Sequence, residues 1–143
     1  MNELSVAIGR TRRTEALFTG AVASPSLRLA FADLPNITRA FAPMVREGRY
    51  QASEMAIATF LMAKAAGKDV VLLPAVLVAR FQEAALLCRA DSAIAGPATL
   101  AGSRIGVRAY SQTTGMWLRG ILQDRFALRP DALRWTTFQD AHL

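Results

Sequence analysis

The 143-residue chain contains one cysteine and one histidine. A single cysteine excludes an internal disulfide framework and a cysteine-rich zinc site. The single histidine, His142, excludes a multi-histidine metal site such as HExxH. The sequence also lacks the GxGxxG, Walker A, GxSxG and CxxC motifs, which are typical of nucleotide, hydrolase and redox sites. We therefore expect a protein without a resident metal or cofactor.

Long apolar runs are also missing. The two longest, Met55–Ala63 and Val70–Ala79, fall well short of the ~20 residues that a membrane span needs. The first nine residues carry Glu3 and no cation, which excludes a typical secretory signal. The sequence as written predicts a cytoplasmic protein without a membrane span, and a start further upstream would make a periplasmic location possible.

Lysine is scarce, although the chain is basic. It has 17 Lys and Arg against 11 Asp and Glu, a net charge of +6, and only Lys64 and Lys68 are lysines. The arginines are scattered apart from RTRR at 10–13, whereas nucleic-acid binding favours basic residues clustered on one face. We therefore expect no nucleic-acid partner. The hydrophobic content of 52% excludes a disordered chain and indicates apolar surface that a partner covers, either a second copy or further polypeptide.

Segments with strand patterns alternate with segments of helical spacing. Strands are predicted at 4–8, 27–32, 50–52, 70–78, 84–89, 104–107 and 135–138. Helical segments are predicted at 14–18, 37–47, 54–66, 97–100 and 112–126, and Asn36 is expected to be the N-cap of the second of them. This alternation predicts an α/β fold with mostly parallel strands. Cys88 and Trp117 are expected in the packed interior.

In parallel sheets, ligands lie beyond the carboxyl ends of the strands, where helix N-termini direct their N–H groups. This rule selects the loops 9–14, 52–55 and 108–114. In the third loop, RAYSQTTG, Ser111 can cap the following helix while Gln112, Thr113 and Thr114 form its first turn. Such a loop is either an anion pocket, which would include Tyr110, or an ordinary capped helix.

The other two loops offer similar alternatives. Ser53 and Glu54 are typical of an ordinary helix start, but the Ser53 hydroxyl and the Met55 N–H could instead hold a ligand carboxylate. Glu54 would then accept a hydrogen bond or donate a proton. In the loop that contains Thr14, Arg10 is either solvated or forms a bidentate pair with a ligand carboxylate. Arg80 is expected to pair with an acid or to reach the ligand.

Several stretches resemble a known group of proteins. They are RTEALFTG at 13–20, SEMAIATFLMAKAAGKD at 53–69, the long stretch 79–122 that contains GVRAYSQTTGMWLRG, and WTTFQDAHL at 135–143. The chain resembles the N-terminal part of a type 2 periplasmic-binding-protein fold. More narrowly, it is similar to 4,5-dihydroxyphthalate decarboxylase-like proteins and to their ABC-transporter solute-binding homologues.

The resemblance implies an incomplete two-lobe α/β protein. The first lobe would comprise residues 1–90, a crossover 91–102, and the start of a second lobe 103–143. Members of the group are longer, so the chain looks like a fragment whose first lobe lacks its C-terminal return. They often carry histidine where this chain has Glu83, which exchanges a neutral or cationic group for an acid.

Two functions follow from the resemblance. The first is binding of a small organic anion, for which we expect a carboxylate, in a cleft between the lobes. The second is cytoplasmic decarboxylation of a dihydroxylated aromatic acid, with Glu54 or His142 as the proton donor. The candidate ligand-binding residues are Arg10, Thr14, Ser53, Glu54, Met55, Arg80, Tyr110, Gln112, Thr113 and Thr114.

Overall fold

The first part of the chain folds around a short parallel sheet. In the computed structural model, which describes residues 1–139, the strands are β1 (Asn2–Ala7), β2 (Leu27–Phe31) and β3 (Ala52–Ser53). Their order is β2-β1-β3, with β1 parallel to both neighbours. The buried residues Val6 and Ala7 end the central strand, so β1 enters the core just before its carboxyl end.

Three helices accompany this sheet: α1 (Glu15–Phe18), α2 (Phe41–Glu47) and α3 (Ile57–Ala65). A 3-10 turn at Ile37–Ala40 precedes α2, and the Asn36 side chain caps this turn by accepting the Thr38 N–H. The predicted Asn36 cap and the predicted helix over 37–47 are therefore confirmed. The helices and this 3-10 turn contribute buried apolar side chains to the first unit; they are Ala40, Phe41, Val45, Ala58 and Ala63.

The second part of the chain begins at Arg80 and forms a separate compact unit, whereas the first unit ends at Ala79. Strands β4 (Arg104–Val107) and β5 (Arg134–Thr137) pair in parallel, and α4 (Thr113–Phe126) connects them. Short 3-10 turns lie at Glu83–Ala85, Pro97–Thr99 and Pro130–Ala132. The core of this unit comprises Leu100, Leu122, Leu128 and Leu133.

The predicted α/β class with parallel pairing is confirmed by both sheets. The two-lobe periplasmic-binding arrangement and the boundaries at 90 and 102 stay predictions. Within the described residues, no helix has the length and the apolar character that crossing a membrane requires.

Two predicted strands are wrong. Residues 70–78 and 84–89 form no strand, and Val71 and Leu72 are exposed. Pro74 has no N–H to donate, and the Ala75 N–H bonds to the Leu73 carbonyl at 2.7 Å, which bends the chain there. An apolar run becomes a strand only beside a neighbour, and none of the described strands pairs with either segment. Cys88 lies in the second segment and is exposed rather than buried.

Two predicted helix caps are also wrong. Ser53 pairs with Ala7 in the sheet, so its backbone stays extended and α3 begins at Ile57, with Ala56 in the N-cap position. In α4 the N-cap position belongs to Gln112, whose N–H bonds to the Ala109 carbonyl at 3.1 Å. That bond closes a turn that contains Ser111. Trp117 of α4 is half exposed, in contrast to the expected packed side.

Candidate functional site

The carboxyl ends of β1 and β3 are joined through Glu54. Its N–H donates to the Ala7 carbonyl at 2.7 Å, which continues the β1–β3 pairing by one residue. Its carboxylate Oε2 accepts the Gly9 N–H at 3.0 Å in a partly buried position. The side chain therefore lies at the sheet edge that the parallel-strand rule selects, although it belongs to no helix.

Ser53 and Met55 flank this carboxylate in sequence. The Ser53 hydroxyl donates to the Glu54 carbonyl at 2.8 Å, so its proton is already engaged within the chain. The Met55 N–H makes no hydrogen bond in the part of the chain that the structure describes. Of the two groups predicted to hold a ligand carboxylate, the Met55 N–H is thus the available donor.

Thr14 is buried, with 3% of its surface exposed. Its hydroxyl donates to the Gly9 carbonyl at 2.7 Å and accepts the Thr11 N–H at 2.9 Å. These bonds fix the loop that follows β1, and they leave the Thr14 hydroxyl without a proton for a ligand. The side chain shapes the site and does not face an open space.

Arg10 is already paired inside the chain. Its Nε and one terminal nitrogen donate to the two carboxylate oxygens of Glu15 at 2.9 and 2.7 Å. Hydrogen bonding and charge from Glu15 raise the pKa of Arg10, and the bond from Arg10 lowers the pKa of Glu15. A ligand carboxylate would have to displace Glu15, so the expected bidentate pairing of Arg10 goes to an internal acid.

A cavity of about 310 Å³ opens beside these loops, at the carboxyl ends of β1 and β2. It is lined by Ile8, Gly9, Arg10, Phe18, Phe31, Ala32, Asp33, Leu34 and Ile37. Of these residues, sequence reasoning selected only Arg10 as a site residue. The same parallel-strand rule could have found the loop at 32–37, because it also follows the carboxyl end of a parallel strand.

In the second unit, Arg80 reaches the start of α4. Its terminal nitrogen donates to the Thr114 hydroxyl at 2.9 Å, so its partner is a neutral group and no acid. Gln112 makes no capping bond with its side chain. Thr113 and Thr114 occupy the first turn of α4, as predicted from the sequence.

Tyr110 is held by an arginine that the sequence reasoning did not select. The Arg119 guanidinium lies 3.8 Å from the centre of the Tyr110 ring and donates to the Tyr110 carbonyl at 2.9 Å. The same ring meets Trp135 edge-on at 5.6 Å. Arg119 lies one turn beyond Gly115, and a Cβ on that glycine would come within 3.5 Å of the guanidinium. No sequence signal indicates this cluster, because Tyr110, Arg119 and Trp135 come together only in the fold.

Glu83 forms an ion pair with Arg125 and not with Arg80. A terminal nitrogen of Arg125 lies 3.5 Å from the Glu83 carboxylate, and both side chains are exposed. His142 lies outside the described residues, and its predicted role as a proton donor stays a prediction. Among residues 1–139, no cluster of three or more histidine, cysteine or acidic side chains could hold a metal ion.

The predicted ligand-binding residues are divided between the two units. The first unit contains Arg10, Thr14, Ser53, Glu54 and Met55, and the second contains Arg80, Tyr110, Gln112, Thr113 and Thr114. The cleft that is expected to unite the two groups stays a prediction.

Two curated proteins are similar to this chain. A 4,5-dihydroxyphthalate decarboxylase of Comamonas testosteroni is 28% identical over 134 residues, which are 93% of this chain and 40% of the relative. A protein of the same name from Pseudomonas putida is 28% identical over 133 residues, 92% of this chain and 51% of the relative. The chain therefore spans about half the length of these relatives or less.

No protein-family model matches the chain. Both relatives are named as decarboxylases and neither as a transport component. The comparisons favour the second function considered from the sequence over the first, and they lend no support to a transporter solute-binding role.

Proposed function

We propose that this chain supplies substrate-binding and proton-transfer groups for decarboxylation of a dihydroxylated aromatic acid of the 4,5-dihydroxyphthalate type. The observation that carries the proposal is the similarity of 92–93% of the chain to two proteins of that name. The local structure supports it with an acidic side chain fixed at the edge of a parallel sheet, where such folds bind ligands.

The reaction requires a proton at the ring carbon that loses its carboxylate. The proton adds to that carbon, the bond to the carboxylate breaks, and its electron pair restores the aromatic ring as carbon dioxide leaves. From 4,5-dihydroxyphthalate the product is 3,4-dihydroxybenzoate. A hydroxyl para to the leaving carboxylate assists, because it makes that ring carbon electron-rich and therefore easier to protonate.

Glu54 is the acid that we assign to this proton transfer. Its Oε2 is held by the Gly9 N–H, while its Oε1 makes no hydrogen bond within the described residues and is left to carry the proton. Fixing a catalytic group in this way lowers the entropy cost of reaching the reactive geometry. The Met55 N–H, one residue along the chain, is a donor for an anionic substituent.

Binding of an organic anion without chemistry is the second candidate function. It is favoured by the second unit, where the Arg80 guanidinium and the Thr114 hydroxyl lie 2.9 Å apart at the start of α4. A full positive charge beside a helix N-terminus attracts an anion. This arrangement serves an enzyme substrate and a bound solute equally well, so turnover separates the two functions.

The experiment incubates the 143-residue chain with 4,5-dihydroxyphthalate and measures carbon dioxide and 3,4-dihydroxybenzoate. Glu54→Gln keeps an oxygen for the Gly9 N–H but carries no acidic proton, so we expect it to bind substrate and to lose turnover by at least about 100-fold. Glu47→Gln is the matched control, because Glu47 is an exposed acid that pairs with Arg49, and it should retain turnover.

Calorimetric titration with the same compound completes the test. Turnover that depends on Glu54 supports the decarboxylase. Binding without turnover favours the second candidate, and the absence of both contradicts both functions. Equal turnover by the wild type and Glu54→Gln would remove Glu54 from the mechanism.

A further inference from the structure

The cavity of the first unit has the size of a small-ligand site. Its volume of about 310 Å³ is at the lower end of the roughly 300–1,000 Å³ of such pockets, which suits one substituted aromatic ring. The Ala32 N–H donates to the Val6 carbonyl at 2.8 Å and continues the β1–β2 pairing beyond Phe31. Asp33 therefore follows directly after the end of the pairing and lines the cavity.

One wall of this cavity is aromatic. The rings of Phe18 and Phe31 stack with their centres 4.0 Å apart and their planes inclined by 23°. The half-buried side chains of Ile8, Leu34 and Ile37 complete the apolar lining. A planar ligand ring packs favourably against such a surface, whereas a strongly hydrated ion does not.

The polar groups of the cavity are Arg10 and Asp33. Glu15 occupies the guanidinium of Arg10 in two hydrogen bonds, so the positive charge is already matched. The Asp33 carboxylate makes no hydrogen bond or ion pair within residues 1–139. The group that remains for a ligand is thus a negatively charged acceptor, which attracts hydroxyl donors and repels carboxylates.

We propose that this cavity binds the dihydroxylated edge of an aromatic ring, with the Asp33 carboxylate accepting hydrogen bonds from adjacent phenolic hydroxyls. The identity of the ring as part of a decarboxylation substrate rests on the proposed function, whereas its recognition by Asp33 rests on the cavity alone. In this proposal the Arg10 guanidinium stays with Glu15, and the carboxylated edge of the ring lies outside the cavity.

Catechol and 1,2-dimethoxybenzene are the probes, because they share the ring and differ in their hydroxyl protons. Calorimetric titration should show that the 143-residue chain binds catechol at least about tenfold more tightly, the effect of one hydrogen bond to a charged group. Asp33→Asn, which keeps the side-chain size, should abolish this preference. Asp69 is exposed like Asp33 but does not line the cavity, so Asp69→Asn should preserve the preference.

A second variant, Phe18→Leu, tests the aromatic wall and keeps the proposal testable if Asp33→Asn does not fold. Phe18→Leu should weaken both probes by a similar factor, because it removes ring contact and leaves Asp33 in place. Circular dichroism of each variant checks its fold. Equal affinity for the two probes in the wild type overturns the proposal, and so does an unchanged preference in a folded Asp33→Asn protein or the absence of catechol binding.

These outcomes are separable from those of the proposed function. An Asp33-dependent preference for catechol in a chain that releases no carbon dioxide supports the site and contradicts the decarboxylase. Release of carbon dioxide at the same rate and KM in wild type and Asp33→Asn supports the decarboxylase and contradicts the site.

Discussion

The Gly9 N–H and the Glu54 carboxylate are joined by a hydrogen bond of 3.0 Å that links the loops after two neighbouring parallel strands. The contact spans 45 residues of sequence, and a Cβ on Gly9 would lie in ordinary van der Waals contact with the same oxygen, at 3.4 Å. The hydrogen bond therefore depends on the backbone N–H of residue 9 and not on the absence of a side chain there. The acid assigned to proton transfer also stabilises the sheet edge.

Removing the Glu54 carboxylate should destabilise the first unit. Glu54→Ala leaves the Gly9 N–H without its partner in a partly buried position, which costs about 1–3 kcal/mol of unfolding free energy. Glu54→Gln keeps an acceptor oxygen and should cost less than about 1 kcal/mol. Urea denaturation followed by circular dichroism measures both variants. Equal losses for alanine and glutamine would show that the hydrogen bond contributes little.

Replacing Arg10 by methionine should raise the pKa of Glu15 towards its ordinary value, because the hydrogen bond from Arg10 lowers it in the folded protein. A carboxyl whose pKa is lowered on folding stabilises the protein above its unfolded pKa. That stabilisation is lost as the pH falls through the folded pKa. NMR titration of the Glu15 side-chain carboxyl measures the shift in wild type and variant. An unchanged pKa would mean that Arg10 is free in solution to meet a ligand.

The sequence predicts correctly most of the elements that depend only on residues close together along the chain. Strand β4 has the predicted residues, and the Asn36 cap was read from residue type alone. The run 70–78 was misread because an apolar pattern does not say whether a neighbouring strand exists, and the bend at Pro74 depends on backbone geometry. The parallel-strand rule points to the loop that contains Asp33, but the cavity that this residue lines depends on Phe18 and Phe31, which are distant in sequence and meet only in the fold.

Arg119 should stabilise the second unit through its stack on Tyr110. Arg119→Ala removes a cation–π contact and the hydrogen bond to the Tyr110 carbonyl, a loss of about 1–2 kcal/mol in unfolding free energy. Arg119→Lys should recover less than half, because an ammonium group lacks the planar stacking surface. Arg125→Ala on the same helix is the control and should change stability by less than about 0.5 kcal/mol. The Trp135 fluorescence should change in the Arg119 variants alone, and a large effect of Arg125→Ala would contradict this assignment.

The exposed apolar side chains between residues 71 and 81 should make the chain associate with further copies of itself. Val71 and Phe81 are 82% and 88% exposed, and large apolar patches on soluble proteins usually mark interaction surfaces. Sedimentation velocity over a range of concentrations should show species larger than a monomer. The double variant Val71→Glu/Val76→Glu should shift the distribution towards the monomer, whereas Leu27→Glu, at a less exposed position, should not. A clean monomer at high concentration would refute the prediction.

Replacing Arg80 by alanine should weaken binding of an aromatic carboxylate much more than binding of its amide. The reason is that the guanidinium lies at the first turn of α4, 2.9 Å from the Thr114 hydroxyl. There its charge adds to the partial positive charge of the helix N-terminus. A hydrogen bond between a charged donor and a carboxylate is worth roughly 1.5–3 kcal/mol, about tenfold or more in affinity.

Calorimetric titration of phthalate and phthalamide against the wild type and the Arg80→Ala variant measures the difference in affinity. Arg89→Ala, which removes an exposed arginine paired with Asp91, should leave both affinities unchanged. Equal losses for acid and amide would instead mean that Arg80 supports the start of α4 and takes no part in ligand binding.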